Sequence, residues 1–279
     1  MKILITGANG YLGKNLIEHL FGRYEIIATA RNSEVLNQKC TLINLSNGDW
    51  QTKIKSIQPD VIINTVTCYG RKGESLSSIV DSNINFPLSL LELVAPAKSL
   101  FINCGTSLPM DVSPYAATKN LFSQLAEAQT KRSSGRFLDL KLEHFYGPYD
   151  NDDKFTSMVI RSCKAGRELS LTAGVQRRDF IYITDLLHAF DTILSNLNKF
   201  ESFDSISIGS GQAITIREFV QTVAKVTNSK SSLRFGATES RKHEVMLSCA
   251  DITRLAQLGW RTEYSLENAI AEIVSKENL

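Results

Sequence analysis

The chain opens with MKILITGANGYLG, an apolar run that ends in Gly7, Gly10 and Gly13 at three-residue spacing and leads into a helical pattern. Three glycines alone would suit any glycine-rich turn; lying between a strand and a helix, they point to the first βαβ unit of a parallel sheet. In such a unit Gly7 ends the strand in a tight turn and Gly10 lets the backbone approach a pyrophosphate. Gly13 lets the helix lie close to the sheet, so that amides at the helix start face the phosphates. The spacing is G-x-x-G-x-x-G rather than the more general G-x-G-x-x-G.

The alternation continues. After the helix YLGKNLIEHL, with Leu12, Leu16 and Leu20 on one face, come YEIIATA, TLINL, DVIINTV and SLFINCG. These runs are apolar without period-two alternation, as parallel strands covered on both faces should be. The expected fold is therefore α/β, a Rossmann-type doubly wound parallel sheet forming a dinucleotide-binding domain over residues 1–146. Beyond it the rhythm loosens through IRSCKAGRELSLTAG, and the chain closes on LENAIAEIV with Leu266, Ile270 and Ile273 sharing a face. Residues 147–279 are expected to form a smaller, mainly substrate-binding lobe with segments crossing back to the first domain. TIRE, Thr215 to Glu218, has the form of a capping box at a helix start.

Composition excludes several classes. A formal net charge of +2 across 279 residues makes no field for a polyanion, so nucleic acid is not an expected partner. The five cysteines are scattered and form no C-x-x-C pair, which suits a reducing compartment. No apolar run approaches the roughly 18 residues of a membrane span, and the start lacks a signal-peptide pattern, so a cytoplasmic location without membrane attachment is the expectation. His19 and His188 fall in helical patterns, His144 and His243 lie elsewhere, and no pair has ligand spacing; no metal is assigned.

The end of the second strand discriminates between dinucleotides. An acid there would grip the ribose hydroxyls of NAD; ATARNS instead places Arg31 and Asn32. A guanidinium suits a 2′-phosphate, so NADP(H) is expected in preference to NAD(H), the alternative being a solvated surface arginine.

In SPYAATK, Ser113 can cap a helix that has Pro114 in its first turn, and Tyr115 and Lys119 then fall one turn apart on one face. A free phenol titrates near pH ~10, and an ammonium with a cationic nicotinamide beside it favours the phenolate, making the group an acid or base near neutrality. The alternative is a core tyrosine with a surface lysine, but CGTSLP just upstream offers Thr106 and Ser107 as hydroxyls for a carbonyl oxygen.

Taken in order, TGANGYLG, TS after the fifth strand, YAATK, FYGPYD and RRDFIYITD resemble the extended short-chain dehydrogenase/reductase family, the NAD(P)-dependent nucleotide-sugar epimerases, dehydratases and reductases. The resemblance covers nearly the whole chain. It implies Thr106, Tyr115 and Lys119 as the catalytic set. The cofactor-binding set it implies is Gly7, Asn9, Gly10, Tyr11, Leu12, Gly13, Arg31, Asn32, Asn44, Leu45, Thr65 and Thr67, with Tyr115 and Lys119. For a nucleoside-diphosphate sugar it implies Arg178 and Arg241 on the pyrophosphate, the alternative for each being a surface salt bridge, with Ser107, His144 and Lys154 as further contacts. Tyr69 and Arg71 fall near the expected nicotinamide end and are substrate-contact candidates, or a structural loop pair.

Departures from the family pattern sharpen the reading. Dehydratases place Asp-Glu directly after the catalytic threonine; here Ser107 and Leu108 stand there, so water elimination is not expected. Asn64 replaces the start of HLAA, and Lys141 and His144 replace arginine and asparagine. NTVTCYGRKGE and KLEHFYGPYD are most similar to bacterial CDP- or dTDP-4-keto-6-deoxyhexose reductases that make deoxysugars for surface polysaccharide such as O-antigen. The implied reaction is reduction of a C4 ketone by NADPH. The alternatives are a 4-epimerase of the UDP-glucose type and a catalytically silent dinucleotide sensor. A homodimer is compatible with the pattern.

Overall fold

The computed structural model describes residues 1–31, 39–95, 99–240 and 244–279, and the chain divides into two compact units. The first comprises Met1–Lys141 together with Asn196–Ile206; the second comprises Leu142–Ser195 and Ser207–Leu279.

In the first unit β1 (Lys2–Thr6), α1 (Tyr11–Leu20), β2 (Glu25–Ala30) and β3 (Thr41–Asn44) form one wing of a sheet. After α2 (Trp50–Ile57) the chain crosses to the other side of β1 and adds β4 (Val61–Asn64). There follow α3 (Leu76–Val80), α4 (Phe86–Val94), β5 (Leu100–Cys104), α5 (Pro114–Thr130) and β6 (Arg136–Leu142). The sheet has seven strands, in the order Phe203–Ile208, β6, β5, β4, β1, β2, β3, and each pairing from β6 to β3 is parallel. This is the Rossmann-type doubly wound arrangement. Reversal of strand order at β1 and β4 opens a crevice at their carboxyl ends, where such sheets take ligands.

Burial explains the unbroken apolar runs: Ile3, Ile5, Ile62 and Ile63 are fully buried between helical layers. Phe101, Phe122 and Phe137 meet at 5.6–6.0 Å between centroids. Each such ring contributes about 1.5–3 kcal/mol by leaving water. Since Phe122 belongs to α5, this cluster pins against the sheet the helix that carries Tyr115 and Lys119. Between α3 and α4 a π-helical turn, Asp81–Asn85, turns the Asn83 side chain inward. Apolar periodicity does not reveal such a turn, because it inserts residues without breaking the helix.

The second unit is built from shorter pieces: β7 (His144–Tyr146), α6 (Phe155–Lys164), β8 (Leu169–Leu171), β9 (Arg177–Tyr182) and α7 (Ile183–Ser195), then β10, the returning strand Phe203–Ile208, whose last two residues lie here. β11 (Ala213–Thr215), α8 (Ile216–Val226), β12 (Leu233–Phe235), α9 (Thr253–Gln257) and α10 (Leu266–Lys276) complete it. β11, β9 and β7 form one sheet, with β9 antiparallel to β11 and parallel to β7; β12 pairs with β8. The capping box expected at Thr215 is present: Glu218 N donates to Thr215 Oγ1 at 3.0 Å and Thr215 N to Glu218 Oε2 at 2.7 Å. Phe219 of α8 stacks on Phe180 of β9 at 4.4 Å. Among the described residues no helix is long and apolar enough to cross a membrane.

Candidate active site

Gly7 turns the chain out of β1 with φ of +70°, and Gly10 N donates to Gly7 O at 2.8 Å. A Cβ on Gly13 would lie 2.3 Å from Gly7 O, so the close approach of α1 to the turn requires glycine. Gly10 is the N-cap of α1 and supplies no side-chain cap, which leaves the first-turn amides for an anion. Asn9 and Tyr11 flank that cap; Leu12 buries its side chain, so its offering is the backbone N–H. The Thr65 hydroxyl donates to Thr6 O at 2.6 Å and binds the end of β4 to that of β1, with Thr67 half-buried just beyond. At the other wing Leu45 N donates to Ala30 O at 2.8 Å, Asn44 Oδ1 accepts Ser46 N at 2.8 Å and Ser46 Oγ donates to Arg31 O at 2.7 Å. Arg31 is exposed at the end of β2; Asn32 lies outside the described residues. The tight glycine turn and open helix start fit a dinucleotide pyrophosphate.

The second half of this site starts where β5 ends. Thr106 Oγ1 accepts Leu108 N at 3.2 Å, and Asn120 Nδ2 donates to Leu108 O at 3.0 Å, fastening the loop to α5. Ser113 caps α5 through Ala116 N at 3.2 Å with Pro114 in the first turn, as its sequence implies. Tyr115 hydrogen-bonds with Thr106, and its ring lies 4.8 Å from that of Tyr69, over which the Arg71 guanidinium sits at 5.0 Å. Asn83 holds this loop: its side chain accepts Cys68 N at 2.8 Å and donates to Cys68 O at 2.9 Å and to Thr118 Oγ1 at 3.0 Å. Tyr69, Arg71, Thr106 and Tyr115 are thus brought together. Ser107 follows Thr106 at the mouth of the loop.

Burial raises the Tyr115 phenol above its ordinary range and the neighbouring Tyr69 adds to the rise, while the Thr106 hydrogen bond and the Arg71 charge pull it down. The lowering comes from Thr106 and Arg71, whereas the Lys119 ammonium faces Cys104 and Asp139. Lys119 is 2% exposed, and burial lowers its pKa against the opposing effect of those two groups. A phenol held protonated at neutral pH is a proton donor.

In the second unit, the His144 ring packs on Phe180 at 5.9 Å and its Nδ1 lies 3.7 Å from Glu143. Lys154 pairs with Asp150 at 2.9 Å and stands 4.2 Å over the Phe145 ring. Arg178 pairs with Glu244 and donates to Arg177 O at 2.8 Å. Both cations therefore have carboxylate partners within the unit. Arg241 and His243 lie outside the described residues. Asp185, His188 and Glu263 also gather, but Asp185 accepts Glu263 N and Tyr264 N at 3.0 and 3.2 Å, which makes it an anchor for that loop.

Sequence reasoning did not single out Asn103 or Asp139 and saw Asn64 only as a departure from pattern. The signal was present: VIIN and FINC put an asparagine at or next to the end of an apolar strand, LDL puts an acid in the middle of the next one, and register aligns the three.

Comparison with known proteins adds three findings. The family model described as "NAD dependent epimerase/dehydratase family" matches residues 3–209. CDP-abequose synthases of Salmonella muenchen and Salmonella typhimurium are 31% and 28% identical, each over 98% of this chain and 97% of its relative. UDP-glucose 4-epimerase of Thermotoga maritima, solved with UDP-glucose, superposes with a TM-score of 0.87 at 20% identity, covering 99% of this chain and 98% of that one.

Proposed function

The chain belongs to the NAD-dependent epimerase/dehydratase family, and from that membership we propose that it reduces the C4 ketone of a nucleoside-diphosphate 4-keto-6-deoxyhexose, CDP- or dTDP-linked, with NADPH. The observation that carries the reading is the end-to-end match to the CDP-abequose synthases. Ser107 and Leu108 after Thr106 support it against dehydration. The deoxysugar product would serve surface polysaccharide, with the cytoplasm as the location and a homodimer as a compatible assembly.

In this reading Gly7, Gly10, Gly13 and the α1 amides hold the pyrophosphate, and Arg31 with Asn32 takes the 2′-phosphate. The reduced nicotinamide, when bound, supplies hydride to C4. Thr106 orients the carbonyl and Tyr115 delivers its phenolic proton to the oxygen that becomes the hydroxyl. Lys119 holds the cofactor ribose. Tyr69 and Arg71, beside Tyr115, are the proposed contacts to the sugar, and His144, Lys154, Arg178 and Arg241 are the proposed contacts to the rest of the sugar nucleotide. Incubation with NADPH and a panel of nucleoside-diphosphate 4-keto-6-deoxyhexoses tests the proposal: loss of NADPH absorbance matched by reduced sugar supports it, and no turnover of any member rejects it.

A further inference from the structure

The loop that joins β7 to α6 is fastened to α10. Tyr149 takes φ of +60°, a left-handed conformation that a bulky side chain keeps only where its surroundings impose it. The residue is 69% exposed, so packing does not impose it. Two hydrogen bonds to the end of α10 do: Tyr149 N donates to Glu277 Oε1, and the Tyr149 hydroxyl donates to Lys276 O. The other oxygen of the same carboxylate, Glu277 Oε2, accepts Arg161 Nε of α6 at 3.1 Å and lies 3.0 Å from its Nη2. Arg161 Nη2 also donates to Asp150 O at 3.4 Å. One carboxylate thus reaches the loop directly and, through Arg161, a second time. Its side chain is 7% exposed, and a buried acid is stable only where donors and a counter-charge meet it; Tyr149 N and Arg161 supply both.

The turn at Tyr149 directs the residues that follow it. Asp150 is 2% exposed, and its carboxylate lies 2.9 Å from Lys154 Nζ. Lys154 N donates to Asn151 O at 3.1 Å, and the ammonium stands 4.2 Å over the Phe145 ring. A lysine side chain loses much rotamer freedom when it is fixed; here the carboxylate and the ring fix it before any ligand arrives, which favours binding. Every residue of this network belongs to the second unit.

We propose that Glu277 is a positioning residue for the sugar nucleotide: by clasping Tyr149 and Arg161 it sets the turn that buries Asp150, and Asp150 holds the Lys154 ammonium where the ligand meets it. The inference rests on the proposed contact between Lys154 and the sugar nucleotide. Glu277 acts through Lys154, so its loss weakens sugar-nucleotide binding. The glycine turn and α1, which are the proposed seat of the cofactor diphosphate, lie in the first unit, so NADPH affinity is left as it was.

The test is a double-mutant cycle read by calorimetric binding of CDP-glucose and dTDP-glucose, which carry the sugar nucleotide without a ketone. Glu277→Ala weakens binding of the tighter of the two by about tenfold, the scale of one charge-assisted contact, with NADPH affinity unchanged. Lys154→Met weakens it by a similar factor. Added to Lys154→Met, Glu277→Ala weakens it by less than about twofold, because the two residues act as one unit. Hydrogen exchange of the peptide spanning residues 149–154 quickens in Glu277→Ala. If that variant does not fold, Tyr149→Phe, which removes only the hydroxyl bond to Lys276 O, takes its place in the cycle with a loss of about threefold. Losses that multiply in the double variant, a lowered Tm with sugar-nucleotide affinity intact, or a parent protein that binds neither sugar nucleotide overturn the proposal. A chain that shows the coupling but reduces no keto sugar keeps this inference and loses the proposed reaction; an active reductase without the coupling does the reverse.

Discussion

The ring of Tyr69 packs against that of Tyr115 with centroids 4.8 Å apart and planes at 41°, and the Arg71 guanidinium lies over the Tyr69 ring at 5.0 Å from its centroid. The stack exists because Asn83, turned inward by the π-helical turn, grips the backbone of Cys68. It places a cation close enough to lower the phenol's pKa, opposing the effect of burial.

Arg71→Met therefore shifts the pH dependence in a determined direction. The guanidinium favours the anionic phenol, so its removal raises the Tyr115 pKa, and a phenol acting as acid keeps its proton to higher pH. The decline of kcat/KM with rising pH moves upward. A profile that stays in place would mean that Tyr115 does not set that limb.

Tyr115→Phe removes the proton donor and leaves the ring that packs on Tyr69. Turnover falls by about 10²-fold or more, while NADPH affinity stays near that of the parent. Steady-state kinetics with fluorescence titration of the nucleotide separate the two. Full turnover in folded Tyr115→Phe would shift the donor role to another hydroxyl, with Ser107 the first to substitute.

Gly13→Ala probes the turn. The new Cβ would start 2.3 Å from Gly7 O, which is backbone and cannot rotate away, so α1 must shift. The expected cost is about 1–3 kcal/mol of stability, together with weaker nucleotide binding. Thermal unfolding and a dissociation constant measure both; an unchanged Tm with unchanged affinity contradicts the close-approach argument.

Arg31→Ala tests the choice of dinucleotide. With the guanidinium gone, NADPH binding weakens by about tenfold, the scale of one charge-assisted contact, while NADH binding changes little. Equal affinities for the two nucleotides in the parent protein would remove the basis for the NADPH assignment.

The sheet was legible because its strands are covered on both faces and read as continuous apolar runs, from KILIT to SLFINC. The start of α5 was legible for a local reason: Ser113 and Pro114 state a helix beginning, and the spacing of Tyr115 and Lys119 follows from it. Three-residue strands such as β8, β11 and β12 are too short to show a period. Arg178 read as a candidate diphosphate contact, but its pairing with Glu244 joins residues far apart in the chain, and only folding brings them together. Asp139 was hidden by the opposite problem: a single acid in an apolar strand reads as an interruption until register sets it beside Asn103.

Reductase and epimerase differ in what becomes of the nucleotide. An epimerase returns its hydride to the sugar it took it from, so tight retention through many cycles favours it; a reductase must release oxidised cofactor every turnover. The match to the CDP-abequose synthases and the arginine in place of an acid after β2 favour release. The purified protein is therefore expected to carry little bound nucleotide and to oxidise one NADPH per 4-keto-6-deoxy sugar nucleotide reduced, without interconverting UDP-glucose and UDP-galactose at a comparable rate. Absorbance of the denatured supernatant measures retained nucleotide, and chromatography of the sugar nucleotides measures conversion. Nucleotide that survives purification, combined with hexose interconversion and no keto-sugar-dependent loss of NADPH, would decide for the epimerase.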